Sequence, residues 1–104
     1  MYIIVFCTTQ GKDKAYEISR KIIENKLAAC VNYFKVNSIF EWKDKIEEEE
    51  EYLLIIKTKE EKFRELENFI KKNHPYEVPE IIYFKIEKGN EDYLKWIDDT
   101  LKNG

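Results

Sequence analysis

An α+β fold is predicted by three observations. Short runs rich in β-branched and aromatic residues alternate with longer stretches of helical periodicity. In those stretches the charged residues fall mostly off the apolar positions, and glycine, proline or asparagine marks the junctions. At 104 residues the chain has room for one domain, residues 1–104, around one core.

The first element is Tyr2-Ile3-Ile4-Val5-Phe6-Cys7-Thr8, a near-continuous apolar run of strand length. It predicts a central strand buried on both faces. Gly11 and Asp13 mark a turn and a helix start, and Ala15, Ile18, Ile22 and Leu27 form the stripe of a helix over about 13–26. Ala28 to Val36 is a second strand, which runs on into Ile39-Phe40-Glu41-Trp42. Lys43-Asp44-Lys45 is the hairpin tip, and Ile46 to Thr58 is the returning arm. The run Glu47–Glu51 suits a helix by propensity alone. Its place between a turn and the strand core Tyr52–Ile56 predicts extended structure instead.

Thr58 with Glu61 matches a capping box, which predicts a second helix over about 59–72, its stripe formed by Phe63, Leu66, Phe69 and Ile70. Pro75 and Pro79 forbid its continuation. Ile81 to Glu87 is a fourth strand, and Asn90 caps a last helix with Glu91 and Asp92 in its first turn and Leu94, Ile97 and Leu101 facing inward. The order is β-α-β-β-α-β plus a C-terminal helix, the ferredoxin-like arrangement with a long central hairpin. An exposed edge as long as that hairpin, about 36–58, invites pairing with another chain; the alternative is a solvent-exposed flap.

Composition excludes several function classes. Charged residues make up 38% of the chain, nearly all Lys, Glu and Asp, with only Arg20 and Arg64 as arginines and a net charge of −3. No basic face is available to release counterions, so nucleic acid is not an expected partner. No apolar run reaches the roughly 18 residues of a membrane span, and the N-terminus lacks a basic signal-peptide region. A cytoplasmic location is expected, with Cys7 and Cys30 as free thiols. No Ser/His/Asp or Cys/His pairing is recognisable, and Thr9-Gln10-Gly11-Lys12 is no phosphate cradle, so no enzyme is expected.

The segment His74-Pro75-Tyr76-Glu77-Val78-Pro79-Glu80 is the strongest candidate for a functional site. His74 is the only histidine, and Pro75 pushes its backbone to an extended conformation. Imidazole suits zinc, copper or nickel, with Glu77 and Glu80 as nearby oxygen donors. Alternatively, His74 caps the helix or hydrogen-bonds across a subunit boundary while the prolines fix a rigid crossover. Cys7 is either a packed small hydrophobe or a soft thiolate for copper(I), and Cys30 is similar. The Glu47–Glu51 run reads as a solvated face, because alternate strand residues point to opposite sides. Trp42 and Trp96 read as core or interface anchors.

Val5-Phe6-Cys7-Thr8-Thr9, Leu27-Ala28-Ala29-Cys30-Val31-Asn32, Glu41-Trp42-Lys43, Ile56-Lys57-Thr58, the His74–Glu80 segment and Tyr93-Leu94-Lys95-Trp96 stand in a recognisable order. Over nearly its whole length the chain resembles the CutA divalent-cation-tolerance family. The resemblance implies a homotrimer with the hairpin pairing across subunits, similar in build to the PII signalling proteins. It also implies tolerance to copper and other divalent ions, with metal held by a first-strand cysteine and two adjacent histidines. By position these match Cys7 and, for the second histidine, His74; the first is Asn73 here. The function so implied is a homotrimeric divalent metal ion-binding protein, with copper or zinc at His74 and Cys7. The alternative is a PII-like signalling or scaffolding trimer that takes a small ligand or partner protein in its inter-subunit clefts.

Overall fold

A computed structural model describes residues 1–102. Four strands, β1 (Tyr2–Thr9), β2 (Cys30–Trp42), β3 (Lys45–Lys59) and β4 (Ile82–Lys85), form one sheet in the order β2-β3-β1-β4. Every neighbouring pair is antiparallel, and Val5 at the centre faces Ile56 on one side and Tyr83 on the other. The helices are α1 (Lys12–Glu24), α2 (Phe63–Asn73) and α3 (Glu91–Leu101). The α+β, ferredoxin-like expectation holds, with the long hairpin and the extra C-terminal helix in place.

Strand alternation decides where the core sits. Ile3, Val5, Cys7 and Thr9 are buried, while Tyr2, Ile4, Phe6 and Thr8 are only partly covered. Ile3, Val5 and Cys7 join Leu54 and Ile56 of β3, Ala15, Ile18 and Ile22 of α1, and Leu66 and Ile70 of α2 in one cluster. The expectation that β1 is buried on both faces is therefore corrected: within one chain only alternate residues are sealed. The reason is that a continuous apolar run does not report how many layers cover it. On the opposite face Phe34, Ile82 and Phe84 remain about half exposed, at 50%, 48% and 52%.

A second, smaller cluster joins Ala29 to Ile97 and Leu101 of α3, with Tyr2 and Leu94 against it. Asn90 caps α3 as expected, its Oδ1 accepting the Tyr93 N–H at 2.9 Å. The helix is also tied to the sheet by Asp98, which accepts a hydrogen bond from the Tyr2 hydroxyl and lies 2.7 Å from the Lys59 ammonium.

Three local expectations change. The predicted capping box does not form: Thr58 stays in β3, and its buried hydroxyl donates to the Leu27 carbonyl at 2.8 Å. Lys59 instead precedes a single 3-10 turn, Glu60–Lys62, without a side-chain cap, so α2 starts at Phe63 rather than near 59. β4 is shorter than the predicted 81–87, because it pairs only from Ile3↔Lys85 to Phe6↔Ile82. The hairpin pairs from Cys30↔Lys57 to Trp42↔Lys45. Its tip is Lys43-Asp44, both at positive φ (52° and 66°), as a two-residue turn matched to strand twist demands. The Glu47–Glu51 run is extended, as expected.

Candidate functional site

The site is built where α2 ends. Asn73 turns its amide back on the helix, Nδ2 donating to the Phe69 carbonyl at 2.8 Å. His74 follows in extended conformation (φ −98°, ψ 138°), as a residue before proline must. This aims its ring at the C-terminal end of β1. His74 Nε2 lies 2.6 Å from the Thr8 carbonyl, and Nδ1 accepts the Tyr76 N–H at 3.1 Å. An amide N–H can only donate and a carbonyl can only accept, so the proton sits on Nε2 and the ring is neutral. Burial lowers the imidazole pKa from its ordinary value, against an opposing contribution from the Thr8 bond.

Tyr76 extends the connection. Its ring centroid is 4.6 Å from that of His74, and its hydroxyl donates to Glu51 Oε2 at 2.6 Å. Glu51 is only 5% exposed. Burial, and then the bond to Glu51, push the Tyr76 phenol up. Glu80 is also pushed up, by burial first and by the Glu51 charge second. Alternation puts Glu47, Glu49 and Glu51 on one side of β3. With Glu77 and Glu80 they line an open cleft of about 840 Å³, whose aromatic wall is Phe40, Trp42 and Tyr76. No lysine or arginine lines it.

Of the two residues nominated as metal ligands, neither lines this cleft: His74 is joined to its wall through Tyr76, and Cys7 belongs to the buried core. Cys7 is wholly buried, and its thiol is pushed up to about 12 by burial first and then by the Glu80 and Glu51 charges. Without a metal it therefore stays protonated at neutral pH, and a metal would have to displace that proton in an apolar, fully buried setting. The ring of His74 meets the backbone of Thr8 rather than the Cys7 sulfur. Its single lone pair is engaged by Tyr76. Among the described residues no three His, Cys, Asp or Glu side chains form a group able to hold a metal ion. As arranged in one chain, Cys7, Asn73 and His74 do not fit a cysteine–histidine metal centre. Cys30 is a free thiol on the edge strand, partly exposed.

The residue that sequence reasoning missed is Glu51, set aside with its run as solvated. The period of two offered a signal, since 47, 49 and 51 must share a face. What it lacked was the Tyr76 hydroxyl that seals the last of them.

The comparisons agree with this architecture. The family model described as CutA1 divalent ion tolerance protein matches residues 3–100. A Xenopus laevis protein named CutA homolog is 46% identical over 97 residues, 92% of this chain and 64% of that protein. The divalent-cation tolerance protein CutA of Archaeoglobus fulgidus is 39% identical over 102 residues, 98% of this chain and 100% of that protein. The chain thus spans less than two thirds of the Xenopus relative but the full length of the archaeal one. Among solved structures, the periplasmic divalent cation tolerance protein CutA from Archaeoglobus fulgidus superimposes with a TM-score of 0.95 at 40% identity, over 97% of this chain and 99% of that one. The divalent cation tolerance protein from Thermus thermophilus gives 0.93 at 37% identity, over 96% and 98%. A family match across almost all of the domain, joined to close structural agreement along its whole length, places this chain in the CutA1 divalent ion tolerance protein family.

Proposed function

We propose that this chain is a non-enzymatic, homotrimeric binding protein for divalent metal ions, with copper and zinc the ions to test. The observation that carries the reading is the cleft beside His74–Glu80, which five carboxylates line without a compensating lysine or arginine. Such a cleft concentrates cations, and its oxygens are usable donors for zinc and copper as well as for harder ions. Since the described residues of one chain offer no three-donor group, the reading needs neighbouring copies to complete the coordination.

Two features support self-assembly. β2 is an edge strand of 13 residues, paired on one side only. The sheet face opposite α1 and α2 also leaves Phe34, Ile82 and Phe84 half exposed. Pairing between copies covers the backbone edge and the apolar face together. A cytoplasmic location remains part of the proposal and fits two free thiols. Calorimetric titration with Cu²⁺ and Zn²⁺, on wild type and on Glu49→Gln/Glu80→Gln, tests the cation reading. Binding weakened in the double variant supports it, and negligible binding by both removes it. Light scattering that returns a monomer removes the trimer.

The aromatic wall of the cleft favours a second reading, a PII-like signalling or scaffolding trimer with a small organic ligand held between subunits. A ligand-induced thermal shift indifferent to metal ions would select it over the first.

A further inference from the structure

Every hydrogen-bonding atom of the His74 side chain is already engaged. Nε2 holds the Thr8 carbonyl of β1, and Nδ1 holds the Tyr76 amide two residues further along. Tyr76 in turn donates to Glu51 of β3. One ring therefore joins β1 to the end of α2 and to the strap that carries Tyr76 over the cleft.

The polarity of each bond is fixed by its partner. The Tyr76 amide has only a proton to give, and the Thr8 carbonyl has only lone pairs to offer. A metal on Nδ1 would displace the Tyr76 amide. A metal on Nε2 would displace the proton that holds Thr8. Asn73, which stands where the resemblance puts the first of two adjacent histidines, uses its amide nitrogen to close the end of α2. Pro75 restricts the backbone between the two bonds, so the ring does not need to be held by a ligand to stay in place.

We infer that His74 is a positioning residue and not a metal ligand: its neutral Nε2–H ring clamps β1 to the Tyr76 strap and so fixes Glu51 in the cleft wall. The inference goes beyond the cation-binding reading and does not depend on it. It states which atoms do not hold the ion.

The test uses the full chain, with Zn²⁺ as a diamagnetic probe. Long-range ¹H–¹⁵N correlation of the wild-type ring at neutral pH should give the Nε2–H tautomer, with both nitrogen shifts unmoved by excess Zn²⁺. Any loss of zinc affinity in His74→Ala should come together with loss of Tyr76 amide protection, through Glu51, and not without it. The same variant should speed exchange of the Tyr76 amide by about tenfold, the worth of one lost hydrogen bond. His74→Asn, whose Oδ1 can stand in for Nδ1, should restore part of that protection. An Nδ1–H tautomer, a ring nitrogen that shifts with zinc, or zinc affinity lost in His74→Ala while Tyr76 protection is unchanged would each overturn the inference. If wild type takes up no zinc, the cation reading fails, while the tautomer and the Tyr76 exchange still decide the clamp.

Discussion

The hydroxyl of Thr58 donates to the Leu27 carbonyl at 2.8 Å, in a fully buried contact between β3 and the residues that follow α1. Thr58→Val keeps the shape and removes the donor, leaving that bond to a buried carbonyl unmade. The expected cost is about 1–3 kcal/mol. Urea unfolding should show a lower midpoint at an unchanged slope, and Thr58→Ser, which keeps the donor, should lose less. A valine variant as stable as wild type would show that the bond contributes nothing.

The same residue shows what the sequence can and cannot reveal. Thr58 and Glu61 have the spacing of a helix cap, and a helix does begin a few residues later. The hydroxyl is instead used inside the sheet, because its position opposite Ile3 in the β1–β3 register carries it to Leu27. Local pattern located the elements, since period two and period 3.6 are written in neighbouring residues. It did not locate contacts that depend on register. For the site, Pro75 made the extended backbone of His74 legible, while its acceptor, Thr8, lies 66 positions away. Glu51 looked solvated for the same reason: Tyr76, which covers it, is brought there only by the fold.

The two thiols should differ sharply in reactivity. Cys7 is wholly buried and protonated, whereas Cys30 is partly exposed at the sheet edge. Reaction with a thiol reagent at neutral pH should label Cys30 in the native protein and Cys7 only on unfolding. Because burial raises the Cys7 pKa, its contribution to stability is complete below the ordinary thiol value. That contribution is lost as pH rises through about 12. Rapid native labelling in a Cys30→Ala variant would contradict this.

Phe84 tests the proposed assembly. Its ring meets Phe6 edge-on, with centroids 5.2 Å apart, on the sheet face that α1 and α2 leave open. Phe84→Asp places a charge on that face without entering the buried cluster. Self-association measured by light scattering should weaken by about tenfold or more, as expected for a charge forced into a desolvated interface. Circular dichroism should remain that of the wild type. An undiminished assembly would mean that this face is not where copies meet.

The His74 clamp should respond to acid. Burial lowers the ring's pKa, the Lys14 charge lowers it further, and the Thr8 bond and the Glu51 charge oppose the shift. A depressed value means that the unfolded chain binds the proton more readily. The stabilising contribution is then complete above the ordinary histidine pKa of about 6.5 and is lost as pH falls through the lower folded value. Protonating Nδ1 also removes the acceptor for the Tyr76 amide, so stability and strap protection should decline together. Glu80 acts in the opposite sense, because its raised pKa favours the acid form in the folded chain. The informative quantity is therefore the difference between wild type and His74→Asn, in which the Glu80 contribution largely cancels. Unfolding midpoints measured from pH 8 to pH 5 should converge for the two proteins toward the acid end. A difference that stays constant over that range would show that the ring does not act through its neutral form.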